Sequence, residues 1–214
     1  IYIINYTTTT KIFALNMLKT FIFATITAIA TANSNADDVN KIFGDSDQWK
    51  TGLINIHKDD DIFYWLFQSR QETASTDPLV LWLTGGPGCA SEVALFNENG
   101  PYQFGEDGAI KSNPNSWNNI SNLLYVDQPI GTGFSHAGFA HDETDETEIA
   151  EDMALFFRGF LEANPEYIDR DFYVTGGSYA GHYVPAIAYH LQKVATDVKL
   201  NLKGIAIGNG LTDP

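Results

Sequence analysis

The apolar residues fall into a series of short runs separated by polar or glycine-rich punctuation, with one longer stretch at helical spacing. Gly52-Leu-Ile-Asn-Ile-His57 and Ile62-Phe-Tyr-Trp-Leu-Phe67 flank the charged Lys58-Asp-Asp-Asp61, the pattern of a β-hairpin joined by a charged turn. Pro78-Leu-Val-Leu-Trp-Leu83 is almost wholly apolar and stops at Gly85-Gly86-Pro87-Gly88. Such a run suits a strand buried on both faces of a parallel sheet. Three more follow: Asn122–Val126 ending at Asp127-Gln128-Pro129, Asp171–Thr175 ending at Gly176-Gly177-Ser178, and Gly204–Ile207 ending at Gly208-Asn209-Gly210. Between the first two of these, Ile149, Met153, Phe156, Phe157 and Phe160 recur at helical spacing, after an acidic lead-in that favours a helix N-terminus. A second helix is predicted over roughly Tyr179 to Ala195. Strands alternating with helices predict an α/β fold, a mostly parallel sheet with helices on both faces.

The N-terminal region departs from this pattern. Residues 1–16 have neither amphipathic period nor turn logic and begin with Ile1, so they read as upstream sequence foreign to the native protein. From Met17 a short start with Lys19, an apolar run and Ala30-Thr31-Ala32 follow in the order of a secretory signal peptide with an A-x-A cleavage site. The run is shorter than the roughly 20 residues a spanning helix needs, so no membrane span is expected once it is removed. Residues 33–214 then form part of one α/β domain, without an internal repeat or linker.

Composition narrows the partners. With 44% hydrophobic and 13% aromatic residues the chain can bury a core, and 27 acidic against 12 basic residues give a net charge of −15. That charge repels nucleic acid and anionic membrane surfaces, which excludes a phosphate-backbone partner. Cys89 is the single cysteine; in an exported protein it either pairs outside this sequence or remains a buried thiol.

The candidate chemistry lies at Ser178. Phe172-Tyr-Val-Thr-Gly-Gly-Ser-Tyr-Ala-Gly-His182 puts a serine between a predicted strand and a predicted helix, among residues small enough for their backbones to approach. That is a nucleophile elbow. A serine hydroxyl also needs donors for the oxyanion that forms on attack. The backbone N–H groups of Gly86, in the Gly85–Gly88 loop, and of Tyr179, next after the serine, are the expected pair. The glycine loop lacks the Lys-Ser/Thr of a P-loop, and Gly131-Thr-Gly133 lacks a third glycine, so no nucleotide cofactor and no metal are expected.

WLTGGPGCAS (82–91), ENGPY (98–102), SWNNISNLLYVDQPIGTGFSH (116–136), FYVTGGSYAGHYVPAIA (172–188) and LKGIAIGNGLTDP (202–214) together resemble the serine carboxypeptidase family, in its order and spacing, over about residues 40–214. The resemblance implies an α/β-hydrolase, truncated here before its last strands, that removes single residues from peptide C-termini in lysosomes, vacuoles or outside the cell. It implies that Ser178 is the nucleophile, that Gly86 and Tyr179 are the oxyanion donors, and that Cys89 is disulfide-bonded to a later cysteine. At the substrate end the family commonly has Asn where Thr84 stands and Glu where Gly177 stands, both binding the terminal carboxylate. Glu98 matches the Glu that normally pairs with the missing one.

In this fold the triad runs Ser, acid, His, and the histidines after Ser178 fall in the predicted helix, where surface or capping roles are expected of His182 and His190. Asp197 reads as a solvated loop residue and Asp213 as one strand too early, so the acid and base are expected outside the chain, and the fragment alone is expected to be inactive. Trp117 and Asp127-Gln128-Pro129 are expected to support the site, the acidic stretch 142–152 to be a solvated face, and Asn119-Ile-Ser121 to be a glycosylation sequon if exposed. Two alternatives share the scaffold. A carboxypeptidase-like acyltransferase or esterase is distinguished by acceptor competition, and a non-catalytic binding protein by the absence of an acid and a histidine downstream.

Overall fold

The computed structural model describes Phe43, residues 47–138 and residues 143–213; the segments 1–16 and 17–32 lie outside the described residues. The chain divides into two units, Ile1–Asp45 and Ser46–Pro214, and the second carries the architecture that follows.

The main sheet has six strands, β1 (Trp49–His57), β2 (Asp60–Phe67), β3 (Leu79–Leu83), β6 (Asn122–Val126), β7 (Asp171–Gly177) and β8 (Asn201–Gly208). They lie in the order β1-β2-β6-β3-β7-β8. β6, β3, β7 and β8 are mutually parallel, and the β1–β2 hairpin adds antiparallel to β6. The hairpin turn is tighter than the four charged residues suggest. Asp59 takes a left-handed φ of 65°, so Lys58 and Asp59 alone make the turn, while Asp60 and Asp61 pair with His57 and Asn55 inside the ladder.

Two helices cover one face, α2 (Glu146–Ala163) and α3 (Ala180–Lys193), preceded in the chain by the six-residue α1 (Glu92–Asn97). Alternation along β2 separates the two faces. Tyr64 meets Phe156 and Phe160 of α2 at ring distances of 6.0 and 5.2 Å. Trp65 and Phe67 point the other way, towards Phe96 of α1 at 6.3 Å and Tyr102 at 6.0 Å. Tyr102 belongs to a small ribbon of β4 (Tyr102–Phe104) and β5 (Ile110–Ser112). Phe156, Phe157 and Phe160 are fully buried, each contributing about 1.5–3 kcal/mol by leaving water.

Within the acidic stretch 142–152, Asp145, Glu148 and Glu151 face solvent as expected, while several of its carboxylates also tether the backbone and Asp152 is buried. Asp145 caps the helix, accepting from the amides of Thr147 and Glu148 at 2.8 and 3.1 Å. Glu143 accepts from Ile130 N at 2.6 Å. Asp152 is buried and meets His57 Nε2 at 2.7 Å. The Asn119 sequon is likewise built into a turn: Asn119 Nδ2 donates to Pro114 O at 2.6 Å, and the buried Ser121 hydroxyl donates to Trp117 O at 3.0 Å.

Candidate active site

β7 delivers Ser178 to the C-terminal edge of the sheet. The bend requires closeness: a Cβ at Gly176 would lie 2.6 Å from both Ala180 Cβ and Leu83 O. Ser178 itself takes φ 60° and is exposed. A non-glycine residue in that region costs roughly 1–2 kcal/mol, and the surroundings hold it there. Its amide donates to Gly208 O at 3.1 Å, while its carbonyl accepts from Gly181 N at 3.0 Å and Leu211 N at 2.8 Å.

The glycine loop leans on this bend. A Cβ at Gly85 would meet Tyr179 N at 2.4 Å and Ser178 Cβ at 3.0 Å, so only a bare backbone fits. Gly86 takes φ 118° and precedes a cis peptide to Pro87, and the turn closes with Cys89 N donating to Gly85 O at 3.1 Å. The fold therefore brings Gly85, Gly177, Ser178 and Tyr179 together, with Gly86 next in the loop. Tyr179 is anchored at its far end, its hydroxyl donating to Glu146 Oε1 at 2.7 Å. That bond to the carboxylate raises the phenol's pKa. On the loop's other side the Tyr183 hydroxyl accepts from Gly88 N at 3.3 Å.

The expected substrate-end residues are less closely associated. Thr84, just past β3, has a buried hydroxyl without a hydrogen-bond partner among the described residues. A Cβ at Gly177 would touch Gly208 O at 3.3 Å and the Trp82 ring at 3.8 Å, and Trp82 packs edge-on to Trp117 at 5.3 Å. Glu98 is the exposed C-cap of α1, and no hydrogen bond joins it to Thr84 or Gly177. Cys89 is exposed and unpaired in this chain.

Beneath the loop Asp127, expected to support the site, meets a carboxyl that the sequence did not single out, Glu92. Asp127 accepts from Ser91 N and Phe134 N, both at 2.8 Å, and the buried Glu92 carboxyl interacts with it. Glu92 makes no hydrogen bond of ordinary geometry among the described residues. Burial, and then the Asp127 charge, push the Glu92 carboxyl well above the usual range. Asp127 is also raised by burial, against the opposing pull of its hydrogen bonds. Both shifts favour the protonated form, and the larger one is at Glu92.

No hydrogen bond joins the Ser178 hydroxyl to a histidine or an acid among the described residues. His182 stacks on Tyr179 at 4.8 Å. His190, expected at the surface or as a cap, is buried instead, because it shares the inward stripe of α3 with Ile187 and Leu191. Asp197 is held by the Arg158 fork at 2.7 and 2.8 Å, which lowers its pKa to about 2. Among the described residues no group of His, Cys, Asp and Glu could hold a metal, and no helix is long and apolar enough to cross a membrane.

A parallel sheet edge that raises a serine on a left-handed bend, against a glycine loop from an earlier strand, defines the α/β-hydrolase class. Residues 43–214 match the family model described as serine carboxypeptidase, and the chain belongs to that family. It is 48% identical over 166 residues to a serine carboxypeptidase-like protein of Oryza sativa, matching 76% of this chain and 38% of that protein. It is 46% identical over 170 residues to serine carboxypeptidase S10 family member 1 of Dictyostelium discoideum, matching 77% of this chain and 40% of that one. Among solved structures it resembles the prohormone-processing carboxypeptidase Kex1(delta)p of Saccharomyces cerevisiae, with a TM-score of 0.68 and 30% identity over 77% of this chain and 39% of that one. The chain thus spans about two fifths of the length of these relatives.

Proposed function

We propose that the whole protein is a serine-type carboxypeptidase that releases C-terminal residues from peptides through an acyl-enzyme on Ser178. The observation that carries this reading is the exposed Ser178 at φ 60° with Gly85 packed on the amide of Tyr179. In the reaction Ser178 Oγ attacks the scissile carbonyl, and the N–H groups of Gly86 and Tyr179 hold the oxyanion. A base and acid outside the described residues move the proton. Thr84 and Glu98 are assigned to the terminal carboxylate. The signal-like segment 17–32 supports passage through the secretory pathway, to an extracellular, lysosomal or vacuolar destination. N-terminal sequencing of the secreted protein is expected to begin at Asn33, and a mature chain that retains Met17 would contradict this.

Gly177 favours a second reading, an acyltransferase or esterase on the same acyl-enzyme, because no carboxyl stands before Ser178 to grip a terminal carboxylate. Two paired carboxyls share a proton, and the protonated member donates to the substrate; Glu98 has no such partner at 177. The test compares kcat/KM for a blocked dipeptide with that for its C-terminal amide, in the full-length protein and in Gly177→Glu. A weak native preference for the free carboxylate is expected, with a gain of roughly ten- to a hundredfold at acidic pH in the variant. Strong native discrimination, unchanged by the substitution, would return the whole task to Thr84 and its neighbours. Turnover of esters with no release of C-terminal residues would favour the second reading.

A further inference from the structure

We propose that Tyr183 is a positioning residue for the oxyanion loop: its hydroxyl, buried within α3, accepts the Gly88 N–H at 3.3 Å and holds the Gly85–Cys89 turn in place beside Ser178. The inference rests on the reading above, in which the amides of Gly86 and Tyr179 stabilise the oxyanion.

The loop needs an external hold because of its composition. Gly85, Gly86 and Gly88 leave it three residues with wide conformational freedom, and Gly86 and Gly88 both use it, at φ 118° and 74°. The Cys89 N to Gly85 O bond closes the turn on itself without fixing it to the rest of the molecule. Two contacts set it against α3. At one end the Gly85 backbone abuts Tyr179 N and Ser178 Cβ. At the other, Gly88 N donates to the Tyr183 hydroxyl.

Both contacts refer the loop to the same rigid element. Tyr179 is the residue on which α3 begins, Tyr183 lies one turn further on, and their rings meet edge to face at 5.1 Å. The two candidate donors are thereby set against one helix, that of Tyr179 through the chain and that of Gly86 through Tyr183. A donor that drifts by a fraction of an ångström stabilises the transition state less, although the ground state binds almost as before. Burial pushes the Tyr183 phenol up to about 12, so the hydroxyl remains a neutral acceptor at acidic and neutral pH.

The test uses the full-length protein with Tyr183→Phe, which removes only the hydroxyl, and with 3-fluorotyrosine at 183, which keeps the hydroxyl but weakens it as an acceptor. Three quantities are read: kcat and KM for a blocked dipeptide, the rate at which a fluorophosphonate labels Ser178, and the melting temperature. For Tyr183→Phe, kcat and labelling are expected to fall together by roughly ten- to a hundredfold, with KM within about twofold. The fluorotyrosine protein should lie between. A Tyr183→Phe protein with native kcat and labelling, or one altered only in melting temperature, would overturn the proposal. Should the phenylalanine variant not fold, the fluorotyrosine protein decides: an intermediate kcat supports the role and a native one refutes it. Wild-type protein that is not labelled at Ser178 would overturn the functional reading, and this inference with it.

Discussion

Replacing Ser178 with glycine in the full-length protein is expected to abolish turnover while leaving the fold no less stable. Removing the nucleophile of a serine triad lowers kcat by about four to six orders of magnitude. The same change relieves the left-handed φ of 60°, worth roughly 1–2 kcal/mol, against about 0.5–1 kcal/mol for the extra freedom glycine has when unfolded. The net expectation lies between no change and a gain of about 1.5 kcal/mol. Ser178→Ala should lose the activity without that gain, because alanine has the same backbone preference as serine. Thermal melts beside kcat measurements read both effects. A glycine variant that is clearly destabilised would mean the bend is not strained, and one that retains turnover would mean another residue attacks. Strain kept at a position that stability alone would not select marks a functional constraint.

The elements visible in the sequence were those whose pattern is long and locally determined. The apolar runs at 79–83 and 122–126 appear as fully paired inner strands, and the spacing from Ile149 to Phe160 reports the α2 stripe. The elbow was legible for the same reason: a strand-to-helix bend demands small neighbours, and Gly176 and Ala180 are adjacent in sequence to the serine they serve. α1, β4 and β5 were not foreseen, since six- and three-residue elements span too little of any period. Side-chain partners were the least legible of all. Tyr183 and Gly88 are 95 positions apart, Glu146 and Tyr179 are 33 apart, and nothing in either stretch announces the other.

Charge shows which acidic residues face solvent but not what they hold. The acidic stretch 142–152 reads as a solvated face because acidic residues usually are solvated, and Asp145, Glu148 and Glu151 are exposed. Yet its members cap α2, hold Ile130 N, hold the Tyr179 hydroxyl and pair with His57. Periodicity shows that Asp152 lies on the same helix as Met153, but not which strand packs over it. His190 illustrates the converse, a titratable residue whose place on the apolar stripe outweighs its polarity.

The buried pair under the glycine loop leads to an expected loss of stability as pH rises. Glu92 is raised well above its ordinary value of 4.5, first by burial and then by Asp127. The groups facing it are Asp127 and the buried Tyr125, whose own phenol is raised by burial and by Glu98 and Glu92; no cation is among these causes. A carboxyl whose folded pKa is raised binds its proton more tightly in the native state. Its stabilising effect is complete below the unfolded pKa and is lost as pH climbs towards the folded one. Above about pH 4.5 each pH unit costs up to about 1.4 kcal/mol until the folded value is passed. The carboxylates with lowered pKa, Asp47, Asp145 and Asp197, act in the opposite sense and only at lower pH, where their stabilisation fades as they are protonated. The full-length protein should therefore melt highest at mildly acidic pH and lose up to about 3 kcal/mol between about pH 5 and pH 7. For 150–250 residues that corresponds to at most roughly 6–12 °C, and to less for a longer chain. Glu92→Gln keeps the shape and cannot ionise, so its melting temperature should be nearly flat over that interval and exceed the wild type at neutral pH. A wild-type profile that rises through the interval, or a Glu92→Gln profile that falls as steeply as the wild type, would show that the proton does not reside on this pair.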